Sequence, residues 1–386
     1  MNSRNLTLLS LVAVLIIGAA IWVGHSRTPQ SVVQQSLYPD LTGKLSAVQG
    51  ITIHKALDQV AVELTRNATG KNSTWQVKQR HNYPADTHKI DALLINLEDA
   101  KLREQKTANK ENYSALGVQD LSDATATGVR LELTGSPSPV DLIVGKRDAT
   151  RQGTYVRRAG AAPSWLISTE LDVPADATKW LKRDLIDIAA DRIQEATTQL
   201  SGAPSYSVFK NARPDANFDV KGIPKRRELN SVAAANAVAQ ALVALQLDDV
   251  RLASELAAEK PAGKTEFKTF DGLTVECVGY KIGEQRWIAL HAGFDAELAK
   301  RFQIPTVKAA GTSADKIKAD KDKTEPKAAA ASDAATQDAI KKMEDEANSL
   351  NAATSSWAYA IPTYKYDAIF KPLEDLLKKP DLLKKK

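Results

Sequence analysis

The five histidines and the single cysteine carry the side chains most readily put to chemical use. His81 and His88 flank Asp86, a set that could offer nitrogen and carboxylate ligands to a metal. Zinc takes three or four convergent ligands, commonly with a pair at i and i+4 on one helix. His81 falls on a loop and His88 in the first turn of the next helix, so this spacing favours solvated loop and cap residues. Cys277 alternates with Leu273 and Val275 on one strand face. A reactive thiolate needs a base or positive surroundings, and His291, on a neighbouring strand, could supply one. The apolar alternation favours a small buried core residue instead. Asp184, Asp187 and Asp191 recur at three- and four-residue spacing, and paired carboxylates perform acid–base work when their environments separate their pKa values. Lys182, Arg183 and Arg192 interleave with them, which favours a salt-bridged surface. The pairs Gly43-Lys44, Gly70-Lys71, Gly145-Lys146 and Gly263-Lys264 lack the upstream glycine of a phosphate-binding loop, and no GxSxG elbow occurs. The sequence therefore assigns no catalytic, cofactor-binding or metal-ligating residue, and the chain reads as non-enzymatic.

Those side chains belong to alternating and helical patterns that predict an α+β body in two related units. In the first (48–170), Ile51 and Ile53, then Val60, Val62 and Leu64, then Trp75 and Val77 follow a two-residue period, as half-buried strands do. Pro84-Ala85-Asp86 leads into a helix with Ile90, Leu93, Leu94 and Leu97 on one stripe. Leu102 begins a short return. A second strand set opens at Gly128, with Val129, Leu131 and Leu133 alternating, then Leu142 and Val144, 153–158 and 164–168. A linker (171–190) carries a predicted short helix over Trp180–Ile186. The second unit (191–305) repeats the order: strands at 193–200, 206–209 and 218–220, a helix over 231–245, and strands at 249–252, 267–270, 273–282 and 285–291. The order strands, helix, strands thus occurs twice, the mark of a duplication with slight identity. Residues 306–352 are a charged, low-complexity and partly helical insertion, expected as a solvated arm. The last segment (353–386) holds a strand at 357–361, a helix over 367–377 and a lysine-rich tail.

Composition narrows the class further. Of 386 residues, 43% are hydrophobic and 26% charged, ordinary values for a globular protein. One cysteine excludes an intramolecular disulfide and a multi-cysteine zinc site. The net charge of +5 is too small for a nucleic-acid footprint, and Lys225-Arg226-Arg227 and the terminal lysines have no interleaved aromatics. The tail could instead touch anionic lipid or an acidic partner surface. The run from Leu6 to Val23 is almost wholly apolar; as a helix at about 1.5 Å per residue it spans roughly 27 Å, the thickness of a bilayer's hydrocarbon layer. Arg4 precedes the run and Trp22 closes it, which favours a cytoplasmic N-terminus. Ile21, Trp22 and Val23 carry the run past the small residues Gly18, Ala19 and Ala20, so an uncleaved anchor is favoured over a signal peptide. The expected layout is an inner-membrane anchor (1–27), a stalk (28–47) and a periplasmic body.

Taken in order, Trp75-Gln76-Val77, Pro84-Ala85-Asp86 with the Ile90–Leu97 helix, Tyr155-Val156-Arg157, Trp180 with Arg183 and Leu185, and Trp357-Ala358-Tyr359 resemble the domain-of-unknown-function 4340 family. The resemblance covers about 45–300, and 311–350 looks like an insertion particular to this chain. Members of that family resemble envelope companions of ABC-type transport systems, similar to those linked to gliding motility. The resemblance implies a partner protein and carries over no catalytic residue. The function expected is a non-enzymatic, membrane-anchored accessory or scaffold subunit of an envelope ABC-type transport complex. The alternatives are a binding module for a glycan, lipid or peptide in a cleft between the two units, and an unrecognised hydrolase.

Overall fold

The computed structural model describes residues 35–69, 72–302 and 325–379. The anchor over 6–23, most of the stalk, the start of the charged insertion and the last lysines lie outside the described residues. Among the described residues no helix is long and apolar enough to cross a membrane. The fold is α+β, with two large antiparallel sheets, and the chain divides into two units. One takes in the described residues to Trp75 together with Thr87–Asp176; the other takes in Gln76–Asp86 and the described residues from Ala177 on.

The first sheet is built from β1 (Gly50–Lys55), β2 (Gln59–Thr69), β3 (Asn72–Val77), β4 (Tyr83–Pro84), β5 (Leu102–Gln105), β6 (Val129–Thr134), β7 (Val140–Asp148), β8 (Gly153–Arg158) and β9 (Ser164–Ile167). Its strand order is β4-β3-β2-β1-β6-β7-β8-β9-β5. Register explains which residues are core. Ile51 lies opposite Leu64 and Leu133, and Ile53 opposite Val62 and Leu131, so one face carries continuous aliphatic rows. Helix α1 (Thr87–Glu98) buries the expected stripe of Ile90, Leu93, Leu94 and Leu97. The opposite face of β7 is covered too: Ile143 packs in a second cluster with Tyr113, Val118 and Leu121, from and just after the single-turn α2 (Tyr113–Leu116).

The β1–β2 turn holds Leu57 and Asp58 at φ 64° and 49°, left-handed values that cost non-glycine residues free energy. Leu57 is also 57% exposed, so its side chain contributes little packing. Asparagine tolerates this conformation better. Leu57→Asn is expected to raise stability by about 0.5–1 kcal/mol, measured by urea unfolding; a loss would show that the leucine side chain packs more than its exposure implies.

The second unit contains β10 (Asp184–Ile186), β11 (Ile193–Leu200), β12 (Tyr206–Phe209), β13 (Asp219–Lys221), β14 (Leu245–Gln246), β15 (Asp249–Leu252), β16 (Gly263–Thr269), β17 (Leu273–Ile282), β18 (Gln285–Phe294) and β19 (Trp357–Ala360). Its main sheet runs β13-β12-β11-β16-β17-β18-β19-β15, and β10 pairs with β14 separately. The core face holds Ala196, Phe267, Val275, Cys277, Ile288 and Leu290, in register across four strands. Its helices are α3 (Asn236–Ala239), α4 (Ala296–Phe302), α5 (Glu325–Thr354), α6 (Thr363–Ile369) and α7 (Leu373–Leu376).

Four expectations change here. The helix predicted over Trp180–Ile186 is absent: one 3-10 turn ends at Trp180, and Asp184–Ile186 is a strand. Ile186 and Ile188 are both buried, a two-residue period that suits branched side chains in a strand. The helix predicted over 231–245 shrinks to α3 amid successive i to i+3 turns. The Asn236 side chain accepts from the Phe218 N–H and donates to Asn217, and Ala244 sits at φ 45°, its N–H bonded to Asp187. The stripe residues Val238, Leu242 and Leu245 are buried all the same. The closing helix expected over 367–377 is two helices, broken where Pro372 offers no N–H and restricts Lys371. Finally, the described end of the charged insertion is not a solvated arm. Met343, Ala347, Leu350 and Thr354 share one side of α5, Ala347 and Thr354 are buried, and the Asn351 side chain accepts from the Ala292 N–H of β18 at 3.2 Å.

Candidate functional site

The residues singled out for chemistry do not converge on one place in the fold. His81, at φ 55° in the turn before β4, pairs with Glu255 at 3.0 Å; His88 is exposed in the first turn of α1. Among the described residues, no three or more of His, Cys, Asp and Glu are grouped to hold a metal ion. Cys277 is fully buried and lies opposite Leu290, whereas His291 lies opposite Glu276. Facing partners share a face and neighbours alternate, so the imidazole and the thiol project to opposite sides of the sheet. His291 cannot activate Cys277. Burial pushes the thiol pKa well up, so it stays protonated at neutral pH. In the folded protein a thiol reagent is expected to leave Cys277 unmodified, with stoichiometric reaction only in denaturant; fast labelling of the native state would overturn this placement.

The three aspartates disperse as well. Asp184 accepts from the Gln246 side chain at 2.8 Å, Asp187 accepts from the Ala244 N–H at 2.8 Å, and Asp191 is exposed. Their basic neighbours are engaged elsewhere: Arg183 bonds Asp248 and the Leu247 carbonyl, and Arg192 bonds Asp271 and Glu346. Of the basic run, Arg227 pairs with Glu374 at 2.8 Å. These are surface and packing contacts.

Three groupings escaped the sequence reading. In the first unit, Arg130 forks onto Asp141 at 2.7 and 2.8 Å and also reaches Glu132 at 2.6 Å. With Asp58, Asp120 and Ile143 it lines an open hollow of about 430 Å³. In the second unit, Arg80 grips Asp249 through two bonds of 2.6 and 3.2 Å, and the Tyr83 ring meets Trp357 edge-on at 5.0 Å. Burial pushes the Tyr83 hydroxyl up to about 12, so that ring remains neutral.

The third grouping is a cavity of about 580 Å³, also in the second unit. Leu200, Ser201, Ala262 and Lys281 line it, together with residues of the stretch from Tyr366 to Asp375. The fold brings α6 down onto the sheet here because residue 279 is glycine. A Cβ at that position would lie 2.5 Å from the Phe370 ring and 2.9 Å from the Tyr366 hydroxyl. Thr265 donates to the Ile369 carbonyl at 2.7 Å and Tyr206 to the Lys371 carbonyl at 2.6 Å, fixing the chain beyond α6. The sequence signal was present: a glycine inside an otherwise alternating strand marks a close approach.

A family model described as Domain of unknown function (DUF4340) matches residues 75–264. No curated protein and no solved structure matches the chain. The matched stretch starts at Trp75 in β3 and ends in β16, so it draws on both units.

Proposed function

Through residues 75–264 the chain belongs to the family described as Domain of unknown function (DUF4340), and from that premise we propose a membrane-anchored accessory or scaffold subunit of an envelope ABC-type transport complex. The apolar run from Leu6 to Val23 tethers the protein in the inner membrane, its N-terminus cytoplasmic and its body periplasmic. The body works by presenting surface to partner proteins.

The observation that carries the reading is the combination of that run with two sheets of one strand order. Reading β3-β2-β1-β6-β7-β8-β9-β5 beside β13-β12-β11-β16-β17-β18-β19-β15, every strand has its counterpart ten places on. This supports descent of both units from one ancestral unit, with β4 and the β10–β14 pair as additions. It also supports the reading of the charged stretch as an insertion. In the first unit β8 and β9 are joined by a short turn, whereas in the second α4 and α5 intervene between β18 and β19. A long excursion between strands that remain neighbours costs little, because loop closure grows only slowly with length. The opposite faces of Cys277 and His291, the pairing of His81 with Glu255 and the dispersal of the three aspartates further favour a non-enzymatic part.

Immunoprecipitation of the full-length protein from membranes in mild detergent tests the role. Permease or ATPase components are expected among the recovered proteins, and recovery of no membrane partner would sink it. A reporter fused after Lys386 tests the topology separately: it should be active only when exported, and cytoplasmic activity would reverse the assignment.

A further inference from the structure

One edge of the first sheet carries excess positive charge beside the residue from which the chain runs back to its apolar segment. The Leu102 N–H of β5 donates to the Gln35 carbonyl at 2.9 Å, Ser36 and Lys101 form an antiparallel bridge, and the Leu37 N–H donates to the Ala100 carbonyl at 2.7 Å. Leu37 and Tyr38 are buried, and Arg158 clamps them: it donates to the Leu37 carbonyl at 2.5 Å and lies over the Tyr38 ring at 5.2 Å. The chain is therefore fastened to the edge of β5. Only residues 24–34 separate it there from Val23, the end of the apolar run, and fully extended they reach at most about 40 Å.

The same edge is basic. Lys101, Arg103 and Arg151 are exposed and Lys106 is half-buried. Arg103 donates to the Arg151 carbonyl at 2.6 Å, which holds β5 against the β7–β8 turn. Glu104 is shared between Lys106 at 2.7 Å and Arg151 at 2.5 Å. Asp148, in that turn, accepts from the Thr150 and Arg151 N–H groups and from the Tyr155 hydroxyl. Among the described residues no carboxylate pairs with Lys101 or Arg103. Four basic side chains thus stand against two carboxylates, both already engaged.

We propose that the β5 edge, through Lys101, Arg103 and Arg151, docks on the anionic phospholipid headgroups of the membrane that holds the anchor. The proposal rests on the membrane-anchored reading and deepens it, by naming the side of the first unit that the membrane meets. A few charges suffice because the tether is short: it replaces free encounter by an effective concentration on the order of millimolar. Basic residues close to an anionic surface then add their attractions, which fall off within a Debye length. An acidic protein could answer the same charges, but lipid is the surface that the tether keeps within reach.

The full-length protein is reconstituted into vesicles of phosphatidylcholine, alone or mixed with phosphatidylglycerol, that carry a nitroxide on a fraction of the headgroups. A fluorophore is placed on Gln105→Cys in β5, or on Gln59→Cys in β2, six strands and roughly 29 Å away along the sheet. Quenching is expected at Gln105→Cys in the mixed vesicles, with much less in phosphatidylcholine alone and none at Gln59→Cys in either. Lys101→Gln and Arg103→Gln should each lower the ratio of docked to undocked protein about fivefold, the worth of one basic residue at an anionic surface, with thermal unfolding unchanged. Three results would overturn the proposal: no quenching at Gln105→Cys in the mixed vesicles, equal quenching in both lipids, or full quenching in both charge variants. Flotation of the same vesicles separates the two claims. Protein that floats without quenching refutes the docked edge and leaves the anchor standing, whereas protein that does not float refutes the anchor and the docked edge with it.

Discussion

Arg157→Ala is expected to lower the stability of the first unit by about 3–5 kcal/mol, because two carbonyls each lose a charged donor worth about 1.5–3 kcal/mol. Arg157 is 2% exposed on the face of β8 that meets α2 and the chain after it. Its guanidinium donates to the Val118 carbonyl at 2.8 Å, to the Ala161 carbonyl at 2.9 Å and to Asp120 at 2.5 Å, and stacks over the Tyr113 ring at 4.5 Å. Alanine would leave the carbonyls without this donor and remove one wall of the Tyr113–Val118–Leu121–Ile143 cluster. Asp120 is the informative control. Its side chain is 47% exposed, so water can replace the guanidinium, and Asp120→Asn should cost only about 0.5–1 kcal/mol. Urea unfolding measures both losses. Amide exchange over 113–121 then shows whether the arginine holds this segment against the sheet. Equal costs for the two variants would mean that the exposed ion pair, and not the buried carbonyl contacts, carries the energy.

The same residue illustrates what the sequence disclosed and what it withheld. Tyr155-Val156-Arg157 is legible as a strand, because alternation is a local property and β8 needs no distant information to be recognised. That Arg157 is buried is not legible, since the carbonyls that accept from it belong to Val118 and Ala161. Local periodicity likewise gave β17 at its true bounds, Leu273–Ile282, and the α1 stripe to the residue. It failed where a tertiary partner decides. Asp184–Ile186 is a strand because Leu245–Gln246 lies alongside, and 231–245 is broken into turns because Asn236 is recruited by Phe218 and Asn217. The Cys277–His291 pairing failed for a different reason. Both residues were placed on strands, but the register that sets them on opposite faces is fixed by the β17–β18 hairpin and not by either strand alone. The cavity was harder still. Leu200, Lys281 and Tyr366 are far apart in sequence, and only Gly279 hinted that something comes close.

Arg192→Ala should be the second costly substitution, and it acts on a different part of the molecule. The guanidinium donates to both Asp271 oxygens at 2.9 and 3.3 Å and to both Glu346 oxygens at 3.0 and 3.3 Å, so it joins the start of β11, the β16–β17 turn and α5. Asp271 is nearly buried and also accepts from the Thr269 hydroxyl at 2.5 Å. Without Arg192 its charge would keep that hydroxyl and the more exposed Arg213, 3.7 Å away. The expected loss is about 2–3 kcal/mol: about 1.5–2 kcal/mol from the contact with nearly buried Asp271 and about 1 kcal/mol or less from the more exposed Glu346. Glu346→Gln separates the two arms. It keeps the Arg192–Asp271 contact and weakens only the link to α5, so it should cost about 1 kcal/mol or less, since Glu346 is more than a third exposed. Amide exchange in α5 is the decisive readout. If the insertion is docked by this arginine, both variants speed exchange over 343–354, but only Arg192→Ala also speeds it in the Thr269–Leu273 turn. Unchanged protection of α5 in both variants would place its attachment in the apolar side of the helix, where Ala347 and Thr354 are buried, and leave the arginine to brace the turn alone.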